Sequence, residues 1–431
     1  RADRLIHVHT KAGYSVKCTP EHKFLVTTGA GDVSYVEAER LRLGDHLLLP
    51  QRVDVVQSGL DRIKSEILSR LSDDFLVKVS PSLNDRIASF SRGNREAIGE
   101  RLGDTQFLFH VWKGCYRSSI FRKVLTALDL PAGEAYDEIE GIKFASKKRR
   151  ATHRSPWIRL PKSKQAFEAL AYLVGLLYGD GVARSAHLAN TSDDIMAVFS
   201  GCLLAAFGIG ATKAWRRTSY IVSHKGGKSL ARFLTEVFEY PTSDKTRSMR
   251  VPEVVSLMPD DFVAAFLRGF FDAEGFIQDG KNIGVGCESK QLMKQVPMLL
   301  QRFGCLAYFG KKSHSREVYI SGKQYVSAFV RHIGFRDREK MLAAKRRLRV
   351  SETNRIFDLT PIPGSFLRSI RKSNHVIWDE QFQLTSFEPY SRLSRYVLER
   401  IPSVVPEYRN QTLENIVKNF AMVQVTGLES I

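Results

Sequence analysis

The sequence predicts an α+β protein built on two pseudo-symmetric αββαββα repeats, with an all-β unit before them and helical extensions. Three observations lead there. A pattern between residues 167 and 350 occurs twice in register. The first 50 residues are short, partly alternating segments punctuated by glycine. The stretches between and after carry apolar residues at helical spacing. The expected organisation is a β unit over 1–55, a helical insert and basic linker over 56–164 that is a candidate DNA-recognition region, repeats at 165–255 and 256–350, and a helical extension over 351–431 leading back to the β unit.

In the first unit, His7-Val8-His9, Tyr14-Ser15-Val16 and Lys23-Phe24-Leu25-Val26 read as strands, Leu47-Leu48-Leu49 runs into Pro50, and Gly13, Gly29, Gly31 and Gly44 fall at turn spacing. Residues 58–140 read as mostly helical. Ile67, Leu68 and Leu71 share a helical face, and Ser118 to Leu125 reads as a short helix capped by serine. A basic stretch follows, Lys147-Lys148-Arg149-Arg150 with Arg154, Trp157, Arg159 and Lys162, suited to lying along phosphates. After about residue 375 the tail reads as polar and helical, with Tyr390, Leu393, Tyr396 and Val397 at helical spacing.

The charge narrows the class. Sixty-five Lys and Arg against 46 Asp and Glu leave a formal +19. Such an excess attracts polyanions, nucleic acids first. Five cysteines, at 18, 115, 202, 287 and 305, form no CxxC pair, so their spacing indicates neither a disulfide framework nor a zinc site. A reducing cytoplasm fits. No signal peptide and no membrane partner are expected, since no apolar run reaches spanning length.

The repeat carries the chemistry. One predicted helix ends Leu173-Val174-Gly175-Leu176-Leu177-Tyr178-Gly179-Asp180-Gly181, and a second ends Leu267-Arg268-Gly269-Phe270-Phe271-Asp272-Ala273-Glu274-Gly275. Downstream, Phe207-Gly208 matches Phe303-Gly304. Tyr220-Ile221-Val222-Ser223 is set against Val318-Tyr319-Ile320-Ser321, and Lys245 against Lys340. Gly175 and Gly179 share a helical face, as do Gly269 and Ala273, so two helices can touch backbone to backbone. Glycine in a helix costs about 1 kcal/mol against alanine, which the contact must offset. Gly181 and Gly275 are expected to supply left-handed caps. An acid in the last helical turn opposes the helix dipole by about 0.3–1 kcal/mol. Two such acids side by side suit a divalent cation, because carboxylate oxygens are hard ligands.

These paired motifs resemble the LAGLIDADG homing endonucleases in their single-chain, two-repeat form. The resemblance covers roughly residues 165 to 350. It implies curved antiparallel sheets set against double-stranded DNA, in a monomer with internal pseudo-twofold symmetry. It also implies Mg²⁺-dependent cleavage of both strands, with Mn²⁺ as substitute. Asp180 and Glu274 would hold the metal, while Asp272 would not. Lys245 and Lys340, the repeat-equivalent pair, would lie near the scissile phosphates and assist. Lys228 and Lys323 are weaker candidates for that role. Arg216, Arg217, Lys225, Lys311, Lys312 and Arg316, on or near predicted strands, are candidate groove or phosphate contacts.

A second resemblance lies in the first unit. Gly13 to Val26, with Thr19 and His22, looks like the TxxH block of inteins, and Tyr35 to Asp45 resembles the segment that follows it in Hint folds. This implies that Thr19 and His22 assist an acyl shift. Position 1 is Arg rather than a nucleophile, and the sequence closes on Leu428-Glu429-Ser430-Ile431 without a His-Asn pair. The polypeptide as given is therefore expected not to splice itself and is read first as the interior of a longer intein, the alternative being descent from one that lost its ends. The alternatives are a non-cleaving DNA- or RNA-binding relative, which usually lacks one or both acids, and an element whose role is splicing.

Overall fold

The computed structural model describes residues 4–29, 31–92, 95–103, 107–145, 155–216, 218–278, 282–310, 316–349, 356–374, 384–406, 408 and 410–431. Five strands come from the first 50 residues: Ile6–Thr10, Ser15–Cys18, Lys23–Thr27, Val33–Glu37 and His46–Pro50. Gly13 and Gly44 turn the chain between them with φ of +80° and +98°, conformations that favour glycine.

The sixth strand of this sheet corrects the helical reading of the tail. Phe420–Ser430 is a strand inserted between Ile6–Thr10 and His46–Pro50, antiparallel to both. Its upper half pairs with Ile6–Thr10 and its lower half with His46–Pro50. Partners hundreds of residues away in sequence leave no local period to read. The helices Ser365–Ser373, Arg395–Val404 and Gln411–Asn419 precede it, around a core that includes Leu367, Leu398, Ile401 and Leu413. Tyr390, placed on a helical face by spacing, is outside them and exposed.

The insert also departs from its mostly helical reading. Helices including Leu60–Arg70, Pro81–Phe90 and Ser118–Ala127 accompany an antiparallel sheet of Cys115–Arg117, Phe75–Val79 and Ile139–Phe144. Ser118 is not the cap. It is the first helical residue, and its hydroxyl donates to the carbonyls of Leu71 (2.9 Å) and Ser72 (2.7 Å), tying two segments of the insert together.

Two units of similar order make the core. The first runs through helix Lys164–Asp180, strand Leu188–Asn190, helix Asp193–Phe207, strands Ala211–Arg216 and Ser219–His224, and helices Gly227–Phe238 and Lys245–Ser248. The second runs through helix Asp260–Glu274, strands Gly275–Gln278 and Asn282–Cys287, helix Lys290–Gln301, strands Tyr308–Phe309 and Arg316–Ile320, and helices Lys323–His332 and Arg338–Arg347. In the first unit the strand after the long helix is reduced to a bridge between Gly181 and Leu188, giving three strands against four. Leu188 pairs with Val222 and Val285 with Val318. Val222 is thus level with Val318, two residues away from the alignment read from sequence. A two-residue slip keeps every side chain on the same face, so polarity alone does not detect it.

The helices Lys164–Asp180 and Asp260–Glu274 are the centre of the main core, most residues of the first being buried. They run in the same sense. The rings of Phe167 and Phe262 stack at 5.8 Å near their starts, and Tyr178 meets Phe266 edge-on at 5.7 Å. The N-terminal sheet docks on the second unit, where the Tyr14 hydroxyl donates to Ala307 O (2.6 Å) and Phe309 N–H to Ala12 O (2.9 Å).

Candidate active site

The closest approach of the two long helices is made at glycines. A Cβ added to Gly175 would run into the Phe266 carbonyl and stand 2.9 Å from Phe270 N. One added to Gly269 would run into the Tyr172 carbonyl and stand 2.8 Å from Leu176 N. Further along, the same addition at Gly179 would collide with Ala273 and lie 3.0 Å from Glu274 Cγ. Because the helices are parallel, this contact delivers both C-terminal acids, Asp180 and Glu274, to one end. Gly181 and Gly275 do not supply left-handed caps. Both are extended, with φ of −77°. Their missing side chains serve close packing instead, against Leu177 O and the Tyr240 hydroxyl at Gly181 and against Phe271 O at Gly275.

Two parallel helix ends and two carboxylates concentrate negative charge. The chain answers with two lysines. Lys245 Nζ donates to the Gly179 carbonyl, and Lys340 Nζ to that of Asp272 at 2.6 Å. All four charged groups are half-buried and feel one another. Desolvation raises the pKa of Asp180; the hydrogen bond from Asn190 and the charges of both lysines oppose it. Glu274 is raised by desolvation and then by Asp180, against the two lysines. Burial lowers Lys245 to about 8 despite the pull of both acids, and Lys340 shifts in the same direction for the same reason.

Two neighbours of the acids are invisible to the motif. Asn190 Nδ2 donates to Asp180 Oδ2 at 2.6 Å. Cys287, half-buried beside Glu274 and Lys245, has its thiol pushed up to about 11, mainly by burial. Glu274 itself makes no hydrogen bond or ion pair among the described residues. Asp272 is spoken for: it accepts from the Tyr172 hydroxyl (2.7 Å) and from the backbone N–H groups of Arg336 and Asp337 (3.1 Å each). Its counterpart Tyr178 donates to Phe238 O (2.8 Å), so each residue ties its helix to the end of its own unit.

The other sequence candidates lie apart from the acids. Arg216, Lys225, Lys228, Arg316 and Lys323 are exposed. Arg216 ends the exposed strand Ala211–Arg216, beside Trp215, whose ring meets Tyr220 edge-on at 4.7 Å, and near Lys213, whose ammonium is 3.8 Å from the Tyr220 ring. Lys228 and Lys323 lie in the first turns of helices Gly227–Phe238 and Lys323–His332. Arg217, Lys311, Lys312 and Lys147, Lys148, Arg149 and Arg150 fall outside the described residues. Beyond that stretch in sequence, Trp157, Arg159 and Lys162 line a cleft of about 1120 Å³ with Lys78 and Lys113. Thr19 and His22 are both exposed, with the His22 N–H donating to Thr19 O (3.1 Å).

The residues around Asp180 and Glu274 fit a hard divalent cation. They offer carboxylate oxygens, one acid without a partner, and a neighbouring thiol that stays protonated.

Comparison with known proteins points to a class at this point: residues 261–334 match the family model of a LAGLIDADG-like domain. Over its length the chain is 28% identical, across 379 residues, to elongation factor 2 of Methanopyrus kandleri, covering 86% of this chain and 29% of that protein. It is 22% identical to a subunit of the A-type ATP synthase from the same organism, covering 99% of this chain and 42% of that one. The chain thus spans less than half the length of either relative. Among solved structures, I-DmoI in complex with DNA and Mn is similar over 39% of this chain and 97% of that one, at 18% identity and a TM-score of 0.31. No helix among the described residues is long and apolar enough to cross a membrane.

Proposed function

We propose that this chain is a site-specific DNA endonuclease of the homing type, making a staggered, metal-dependent double-strand cut at a long asymmetric site. One observation carries the reading. Two helices from successive units cross at Gly175 and Gly269 and present Asp180 and Glu274 side by side, each with a lysine from the end of its own unit. Nothing in core packing requires two half-buried acids there. The cost of desolvating them is one a stability-driven sequence avoids.

In this reading the units are related by a pseudo-twofold axis, and each serves one DNA strand. Asp180 and Glu274 hold Mg²⁺, or Mn²⁺ in its place. When bound, the ion neutralises charge developing on the cleaved phosphodiester and its leaving oxygen. Asn190 fixes the orientation of Asp180. Lys245 and Lys340, anchored on helix carbonyls, set a positive charge beside each reacting phosphate. A Lys245 amine titrating near 8 can also accept or return a proton close to working pH. The exposed strand with Lys213, Trp215 and Arg216 supplies groove contacts, and the net charge of +19 supplies affinity that weakens with salt. The chain acts as a monomer.

We further propose that the nuclease travels as an in-frame element of intein type, with Thr19 and His22 in its splicing unit. Two proteins as different as an elongation factor and an ATP synthase component share this segment, and it accounts for only part of each. Strands Ile6–Thr10 and Phe420–Ser430 are neighbours, so the polypeptide leaves the sheet beside its point of entry, as an inserted unit requires.

The test is cleavage of a plasmid carrying the joined sequences that flank the coding segment, with and without Mg²⁺, using the native chain, Asp180→Asn and Glu274→Gln. A single staggered cut that needs metal and is lost in both variants is expected. Binding without any cut by the native chain overturns the nuclease reading.

A further inference from the structure

The N-terminal sheet holds a cluster of a different kind. His7 and His9 sit two residues apart on strand Ile6–Thr10, so both point to the same face. Glu429, on strand Phe420–Ser430, is paired directly opposite His7. One donor atom from each of the three lies within 4.8 Å of the others. His7 Nδ1 and His9 Nε2 are each 3.6 Å from a Glu429 oxygen, and the two rings lie 3.9 Å apart.

We propose that His7, His9 and Glu429 form a binding site for a transition-metal dication, Zn²⁺ by preference, that clasps these two strands. Two imidazoles and one carboxylate are the donor set of three-ligand zinc sites, with the fourth position left to water. Bonds of about 2.0–2.1 Å at tetrahedral angles set ligand atoms about 3.3 Å apart, close to the two separations here. Mg²⁺ prefers an all-oxygen shell, so the imidazoles select against the cation assigned to Asp180 and Glu274.

Two further observations point to a ligand. His9 Nε2 is buried at the atom level and has no hydrogen-bond partner, although it is aimed at Glu429. A buried ring nitrogen without a partner is a cost that a metal bond removes. Opposite His9 stands Gly427, where an added Cβ would lie 3.3 Å from His9 Cβ and 3.4 Å from its Cδ2. The missing side chain leaves room for the imidazole to lie along the neighbouring strand. Cysteine spacing gives no hint of this site, because no cysteine takes part.

A simple ion pair between Glu429 and a protonated histidine is the rival, and metal titration separates the two. The full chain carrying Asp180→Asn and Glu274→Gln, which disables the other candidate metal site, is titrated with Zn²⁺ by calorimetry and with Co²⁺ by visible absorption. One equivalent is expected to bind, with a Co²⁺ spectrum of imidazole ligation and a melting temperature raised by Zn²⁺. Adding His7→Gln or His9→Gln should abolish that spectrum. Adding Glu429→Gln should weaken binding by at least about 10-fold, since even groups that only support a ligand contribute about that much. Glu429 is mostly exposed, so its substitution is the one least able to disturb folding, and melting in chelator checks this for all three. Absence of saturable binding, or affinity unchanged by His7→Gln and His9→Gln, overturns the proposal.

Discussion

The two units of the core bring their acids to one point but do not treat them alike. Leu188 bridges Gly181 and Val285 pairs with Gly275, so Asn190 and Cys287, each two residues on, occupy equivalent places. Asn190 grips Asp180 at 2.6 Å, whereas the Cys287 thiol turns to Ser289 O at 3.8 Å and leaves Glu274 unheld. The lysines differ as well. Lys245 donates to one carbonyl, and Lys340 spans two, those of Asp272 (2.6 Å) and Phe271 (3.4 Å). A duplicated backbone can thus carry unequal surroundings: one acid is positioned by its own unit, while the other is held by no hydrogen bond among the described residues.

The largest effects should come from the acids themselves. Asp180→Asn and Glu274→Gln are each expected to lower double-strand cleavage by at least about 100-fold, measured as linear plasmid formed under single-turnover conditions. Native cutting of both strands by Glu274→Gln would mean that the second unit contributes no chemistry. Next come the glycines that set the acids side by side. Gly175→Val and Gly269→Val should each cost at least about 1–3 kcal/mol in urea unfolding, because the new side chain meets backbone that cannot yield. Gly201→Ala, in an open helical position, should instead gain up to about 1 kcal/mol. A similar loss at Gly201, where an added Cβ meets nothing, would mean that the losses at Gly175 and Gly269 do not report the helix contact.

The lysines follow. Lys245→Met and Lys340→Met are expected to slow cleavage by about 100-fold, the lower end for assistance by a positioned side chain. Stability gives a second handle on Lys245. Unfolded, its ammonium keeps its proton to an ordinary value of 10.5; folded, it releases it near 8. Its contribution is therefore present above 10.5 and lost as pH falls through 8, by about 1.4 kcal/mol per pH unit between those values. In chelator, Lys245→Met should gain on the native chain as pH drops through that window. A gap in melting temperature that does not change with pH would place Lys245 in a wetter setting than the burial described here.

The acids were legible because duplication repeats not just a residue but its frame: small residues one and five before, a glycine after, a lysine some 65 residues on. Asn190 and Cys287 were not, because they lie 10 and 13 residues beyond their acids and differ in type. Only strand pairing makes them equivalent. Long-range pairing also hid the strand Phe420–Ser430 and the small sheet of the insert, whose members Phe75–Val79 and Ile139–Phe144 are separated by several helices. Apolar period reports which face is buried, not which strand lies beside it. The Gly181 and Gly275 caps were misread for a related reason: glycine after a helix signals either positive φ or close approach, and sequence does not separate the two.

The smallest predicted effect tests the inequality most directly. Cys287→Asn places an amide where Asn190 stands in the other unit, in reach of an acid with no other donor. A hydrogen bond worth about 1 kcal/mol, or roughly 5-fold, is the scale expected. If substrate positions Glu274 in the native chain, preorganising it should speed the cut on its strand and reduce the nicked plasmid seen at early times. Asn190→Ala should do the reverse on the other strand, because Asp180 loses the bond that opposes its desolvation. Strand-specific end labels read both. Opposite shifts in the nicked fraction would locate the asymmetry in these two residues. Equal slowing of both strands by either variant would mean that the two acids act as one indivisible site, with their unequal neighbours of no consequence to the order of cutting.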